Sequence, residues 1–467
     1  MGTKRRRGGD GGMEENTMAI LDTSCFSKSA EHLADDRLSF LEAVRSGSLV
    51  TDNASAPTNK MYKATFQILK DEKSLDLIMS SYQLLLELDK RFPRVYMSET
   101  EKSESSSPSS NLHHELVVVE EAWSPFSFGV DVISSEKQNH GKINESVDVT
   151  EFNLLIEDLS KVPDEANTSE PFRNMLLFQY LVNVLEGDFR PRNLAFLESA
   201  DWIALKESLL NTILVSRKIT YKGLVKDCLS SMCVLSQFST DCSLDMKPAE
   251  NGSAELAEKW RHTALALALP EVVKCTHAAV QKLLLMIIEL DSSKATADLD
   301  GLTTRADGTR TPATEIILDE LTYDKNILFP FFQALDKPKL KLDMIVEYLK
   351  KYMPKTSVRT RRSNGSTNDS TFGGILNSFS NGNSAKGIMK KISSEVAQLL
   401  LAQAFQAYIA LPCEHSTESK EENSLQNICN DMISAFTCLK KADKHTGILP
   451  FAKEALVTAA FLLSRNS

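Results

Sequence analysis

Residues 74–92 read SLDLIMSSYQLLLELDKRF, and the reading of this stretch decides the fold. Leu75, Ile78, Tyr82, Leu85, Leu88 and Phe92 recur every three or four positions. A helix turns once in 3.6 residues, so this spacing gathers them on one face. Ser74 offers an N-cap oxygen, and Pro93 stops the run. Such a helix has to bury its stripe against a neighbour.

The same pattern returns along the chain. Asp35 and Asp36 read as caps of a helix carrying Leu38, Leu41 and Val44, and Pro57 opens another with Met61, Thr65, Ile68 and Leu69. Further stripes are Phe172, Met175, Phe178, Val182 and Leu185; Trp202, Leu205, Leu209, Thr212 and Val215; and Leu224, Cys228, Met232 and Leu235. After Pro270, Glu271 opens a segment with Val272, Cys275, Ala279, Leu283, Met286 and Leu290. Leu284, Leu285, Ile287 and Ile288 widen that stripe to most of the circumference, which predicts a helix between two layers. More helices are expected at 311–323, 325–335, 338–353, 393–411, 424–441 and 448–464. Leu116–Val119 is a short β-branched run that does not alternate, so it leaves a strand undecided. The aromatics of residues 123–128, WSPFSF, are expected to pin a loop onto the helices.

The fold class expected is all-α. Degenerate repeats of about 40 residues would stack as an armadillo- or HEAT-like helical-repeat superhelix, with an irregular helical bundle as the alternative. Burial contributes roughly 1.5–3 kcal/mol per Leu, Ile or Phe, which offsets chain entropy when helix pairs stack. The expected organisation starts with a basic, Gly-rich disordered tail, 1–33, followed by a helical-repeat region, 34–354. Flexible insertions fall near 98–114, 130–149 and 240–254. A basic loop rich in Ser, Gly and Asn covers 355–391, and helices of 392–467 pack on the same superhelix.

Composition bounds the function. Hydrophobic residues make up 42% and charged residues 25%, an ordinary soluble balance. A formal net charge of −10 argues against a general nucleic-acid coat, which needs clustered positive charge. Met1–Gly12 has no apolar core of a secretory signal. The apolar runs 264–269 and 283–288 fall short of the ~20 residues of a membrane span. Eight cysteines are scattered, and Cys228 and Cys233, five apart on one expected helix, match no metal spacing. A reducing compartment follows.

Motif by motif, chemistry is missing. Gly382 and Gly387 have the spacing of a phosphate loop, but Ile388 and Met389 stand where Lys and a hydroxyl belong. Asp298, Asp300, Gly301 and Asp307 approach a calcium loop, yet Thr296 replaces a ligating Asp, so a solvated acidic turn is expected. His113-His114-Glu115 is not the zinc pattern H-E-x-x-H and reads as surface loop. The expectation is no enzyme, no catalytic residue, no cofactor and no metal. Two basic clusters remain. Lys4, Arg5, Arg6 and Arg7 are the candidate nuclear-import signal. Arg359, Arg361 and Arg362, with Lys355 before and Lys386, Lys390 and Lys391 after, are the candidate partner or phosphate contact.

Several long stretches carry a family resemblance. They are Asp36-Arg37-Leu38 through Val50, Pro57 through Lys70, Arg91-Phe92-Pro93, and Glu121 through Phe126. Ala297 to Asp324 continues it, with Gly301–Gly308 (GLTTRADG) and Thr311-Pro312-Ala313, as do Val358–Arg362 and Ile448–Phe451. In these the chain resembles the plant family of negative regulators of systemic acquired resistance. The resemblance implies a nuclear, leucine-rich, armadillo-like protein that represses defence-gene transcription. It also implies a subunit of the SMC five/six chromosome-maintenance complex, linked to DNA-damage response and homologous recombination. It carries over no catalytic residue.

The function expected is therefore a nuclear scaffold or adaptor. Its partners would be protein subunits of the chromosome-maintenance complex and regulators of transcription and repair, with DNA reached indirectly. No membrane and no small-molecule substrate is expected. The alternatives are a repressor that binds DNA directly through Arg359–Arg362, or an armadillo-type transport adaptor.

Overall fold

In the computed structural model the helical spacing becomes helix almost throughout. The structure describes residues 11–21, 30–50, 55–100, 113–128, 146–161, 169–241, 253–308, 310–323, 327–335, 337–353, 371–411 and 418–465. Contacts divide the chain into two compact units, Met1–Ile316 and Ile317–Ser467.

The first unit opens with α1 (Gly11–Ala19) and α2 (Ala30–Arg45), the latter running into a π-turn at Ser46–Val50. Both helices fall in or near the segment expected to be a tail, and Asp35 and Asp36 lie inside α2 rather than capping it. α1 is tied down by Glu14, which pairs with Lys60 at 2.8 Å. Next come α3 (Asn59–Asp71) and α4 (Leu75–Arg91). Thr58 caps α3 through its side chain, while Ser74 precedes α4 in extended backbone without a side-chain cap bond. The α4 stripe is buried at Ile78, Leu85 and Leu88, together with Leu77 and Leu84.

The undecided run at 116–119 is a strand. β1 (Val95–Thr100) pairs antiparallel with β2 (His113–Val118), Val95 facing Val118 and Thr100 facing His113. His113 and His114 thus sit on a strand, and the expected insertion at 98–114 has ordered edges. Backbone pairing fixes this hairpin although its residues do not alternate.

Beyond it, Val147 exchanges backbone hydrogen bonds with Pro125 and Ser127, so the end of the expected 130–149 insertion is anchored. α5 (Val149–Leu159) follows, capped by Asp148. α6 (Ser169–Ser199) is the axis of the unit. Leu176, Leu177, Phe178, Tyr180, Leu181 and Val182 are all buried, so its middle is enclosed on all sides. α3, α4, α5 and the hairpin pack on it, as do α7 (Trp202–Lys206), α8 (Leu209–Val215) and α10 (Ser253–Leu299). α9 (Tyr221–Asp241) lies against both α5 and α10. The expected loop at 240–254 narrows, because α9 ends at Asp241 and α10 begins at Ser253.

Pro270 does not start a helix; it sits inside α10. Proline removes one backbone donor and strains one turn, and a 47-residue helix held by tertiary packing absorbs that. Val280, Leu283, Leu284, Met286, Ile287 and Leu290 are buried against α6 and α9, which bears out the helix between layers.

The division between units falls inside α11 (Ala313–Tyr323). The second unit holds α12 (Leu328–Ala334) and α13 (Pro338–Lys350). α13 packs on helices of the C-terminal region, so it belongs with them. Two helices occupy the described part of the expected basic loop: α14 (Phe372–Ser380) and α15 (Gly382–Met389). Gly, Ser and Asn hide a stripe there, because Phe372, Ile375, Leu376 and Phe379 are all buried. Thr371 and Asn381 cap the two helices. α16 (Ser394–Ile409) is the buried core helix, with α17 (Glu418–Ala442) and α18 (Pro450–Arg465) packed beside it. Each unit is thus all-α in architecture, helix against helix, with one hairpin as an edge feature among the described residues.

Candidate functional site

Lys4, Arg5, Arg6, Arg7, Lys355, Arg359, Arg361 and Arg362 lie outside the described residues. Lys386, Lys390 and Lys391 are exposed on α15 and the turn after it. Gly382 and Gly387 are both helical, so their spacing builds no loop around a phosphate.

The acidic turn after α10 is closed by protein partners. Asp307 receives Lys206 at 2.6 Å and the Thr304 amide at 2.6 Å, while Lys294 donates to the Asp307 and Gly308 carbonyls. Burial would raise the Asp307 carboxyl, but the hydrogen bonds from Lys206 and Thr304 outweigh it and hold it at about 2. Asp307 is thus committed to protein partners. Among the described residues no group of three or more His, Cys, Asp or Glu could hold a metal. Cys228 and Cys233 are both buried, and burial pushes the Cys228 thiol up, away from reactivity.

The polar chemistry that does converge lies at the root of the hairpin. Two clefts, of about 520 and 540 Å³, share the walls Asp89, Pro93, Arg94 and Trp123. α4 delivers Asp89 in its last turn. The turn into β1 delivers Pro93 and Arg94, and the loop after β2 delivers Trp123. Arg94 accepts the Val119 amide on its carbonyl at 2.9 Å, and its Nη1 donates to the Trp123 carbonyl at 3.5 Å. Trp123 stacks on Tyr62 at 5.6 Å between ring centres and tilts against Phe66 at 5.4 Å. The aromatic loop is therefore pinned to α3 as expected, with Phe126 further anchored edge-on to Phe152 at 5.7 Å.

Asp89 is the unusual group. Burial pushes its carboxyl up to about 7, and the Tyr180 hydroxyl and Arg94 only partly offset that. Tyr180 stands close enough to act on the charge, yet by distance and angle no well-formed hydrogen bond reaches its hydroxyl or Asp89 Oδ2 among the described residues. Burial also lowers the affinity of the Arg94 guanidinium for its proton. The rim is wetter: Tyr96 is 40% exposed and lines one cleft. Trp, Tyr and Arg are the residues that dominate binding hot spots, where a pocket admits a partner's side chain. The arrangement is suited to docking, with a buried carboxyl for orientation.

Two other polar clusters, one charged and one neutral, are structural. Asp188 pairs with Arg192 at 3.4 Å and accepts the Leu209 amide at 2.8 Å, while Arg192 donates to the Ala204 carbonyl at 2.8 Å. That set fastens α7 and α8 to α6. Tyr82 donates to Gln179 at 2.8 Å, and Gln179 donates to Thr276 at 2.9 Å and to the Val272 carbonyl at 3.1 Å, joining α4, α6 and α10.

Three segments that carry the family resemblance line this site: Pro57–Lys70, Arg91–Pro93 and Glu121–Phe126. Asp89 and Arg94 stand outside them. One signal was present for Asp89, which stands four residues after Leu85 and seven after Tyr82, a carboxylate placed on an apolar stripe.

Residues 94–337 match the SNI1 middle domain, and residues 353–467 match the SNI1 C-terminal domain. A relative from Arabidopsis thaliana, "Negative regulator of systemic acquired resistance SNI1", is 43% identical over 470 residues, covering 100% of this chain and 98% of the relative. No solved structure matches the chain.

Proposed function

This chain belongs to the SNI1 family, and from that membership we propose that it restrains defence-gene expression as a negative regulator of systemic acquired resistance. It works in the nucleus as a scaffold that holds other proteins and makes or breaks no bond. The observation that carries the reading is full-length identity of 43% to a relative named for that role. The aromatic clefts around Asp89 and Trp123 are the docking points in this reading, since they offer buried anchors rather than a paired nucleophile and base. The partner proposed is a protein subunit of the SMC five/six complex, which ties the restraint to DNA-damage response and homologous recombination. DNA is reached through that partner.

The test is replacement. The chain is expressed in an Arabidopsis line lacking the relative, and defence-marker transcripts and sensitivity to a DNA-crosslinking agent are measured. Return of both to wild-type levels is expected. Accumulation of the protein in nuclei with neither trait changed would defeat the reading.

A further inference from the structure

The last two helices of the second unit enclose a groove that the proposed role does not use. The end of α17, the segment 443–449 and the start of α18 surround a space of about 360 Å³. Its floor is apolar, built from half-buried Ile433, Ile448 and Leu456 over the buried ring of Phe436. Its rim is cationic: Lys440, Lys441 and Lys444 are all exposed and all line the space. None of the three has an ion-pair partner among the described residues. The nearby carboxylate, Asp443, is occupied by its own loop. It accepts the Thr446 hydroxyl, the Thr446 amide at 3.2 Å and the His445 amide at 3.1 Å, which hold its carboxyl below the usual range.

We propose that this groove docks an acidic amphipathic segment of a partner protein, its apolar side chains on the Ile433–Ile448–Leu456 floor and its carboxylates on the lysine rim. Charge complementarity selects the occupant. An apolar floor alone would accept any hydrophobic helix, and three unpaired cations at its edge discriminate against basic or neutral ones. Two of the lysines, Lys440 and Lys441, also suit the partial negative charge at the end of α17. Lys444 lies past the helix end and owes its rim position to the loop. Nucleic acid is the poorer fit: a duplex presents phosphates and leaves the apolar floor uncovered, and a single strand finds no exposed aromatic platform, since Phe436 is 2% exposed. The inference does not rest on the role proposed above.

A library of displayed helical peptides of about 15 residues is selected on the full chain. It is counter-selected on the variant Lys440→Glu/Lys441→Glu/Lys444→Glu, in which exposed side chains alone change. Enriched peptides are expected to carry Leu, Ile or Phe at helical spacing flanked by Asp and Glu. A labelled synthetic copy should bind the triple variant at least ~10-fold more weakly and lose affinity as salt rises. Thr437→Trp, which fills the groove and keeps the charges, should weaken it too. Enrichment of basic or neutral peptides, no enrichment at all, or binding indifferent to both variants would overturn the proposal. So would a DNA duplex that displaces the peptide from the wild-type groove.

Discussion

Asp291 and Arg310 form a two-point ion pair, Oδ1 of the carboxylate accepting Nε at 2.9 Å and Nη2 at 2.7 Å. The second oxygen, Oδ2, accepts the Tyr221 hydroxyl and the Ala313 amide at 2.7 Å, and Arg310 lies over the Tyr221 ring at 4.3 Å. One carboxylate about two turns before the end of α10 therefore holds α9, caps the start of α11 and fixes the segment between. Asp291→Ala removes all four bonds and leaves Arg310, whose side chain is 16% exposed, without its counter-charge. The expected cost is about 3 kcal/mol, in the range for breaking a buried pair. Hydrogen exchange at the Ala313 amide reads it directly; protection equal to wild type would contradict the assignment.

Asp188→Ala is expected to be comparably severe. Arg192 would keep its buried guanidinium with one carbonyl for company, and the Leu209 amide would lose its cap. A loss of roughly 3–5 kcal/mol follows, seen as a lowered melting temperature and early proteolysis between α6 and α8. Asp188→Asn, which keeps the acceptor, should recover part of it.

Asp89 makes stability depend on pH. Its folded carboxyl titrates at about 7, above the unfolded value, so the folded state holds a proton that the unfolded state has released. Its contribution is present in full at acid pH below the unfolded value and is lost as pH rises towards 7. The slope is at most about 1.4 kcal/mol per pH unit. Urea unfolding followed between pH 5 and pH 8 should show a decline that flattens in Asp89→Asn. Identical pH profiles for the two proteins would contradict the buried, weakly compensated carboxyl.

Trp123→Ala should free the loop after β2. The ring bridges Tyr62 and Phe66, so its loss empties the wall shared by both clefts, at a cost of about 3 kcal/mol. Limited proteolysis reports it as new cleavage within residues 119–128. Helix content measured by circular dichroism should stay unchanged, since α3 and α4 keep their other contacts.

How much of this was legible in the sequence depends on what each element uses to fold. α4 was readable because it is half-buried, which leaves a stripe. α6 is buried on all sides in its middle, so its stripe showed a helix but not its place as the axis of the unit. α14 escaped notice because Gly373, Gly374 and Ser378 set the composition while Phe372, Ile375, Leu376 and Phe379 do the packing. Pro270 misled for the opposite reason: a local rule was outweighed by packing along α10. The division between units runs through α11 and leaves no trace in composition. At the candidate site, Tyr62, Pro93 and Trp123 lie in the segments that carry the family resemblance, but Asp89 and Arg94 acquire meaning once burial brings them together. Charge is read from a sequence easily; its desolvation is not.

The most direct test of the docking role is purification of the tagged chain from plant nuclei after amine-reactive crosslinking. Lys90, exposed at the edge of the larger cleft, is the reporter. The account predicts recovery of chromosome-maintenance subunits with crosslinks leaving Lys90, both lost in Trp123→Ala. Recovery of the chain without those subunits, and with Lys90 crosslinked to nothing beyond its own chain, would contradict it.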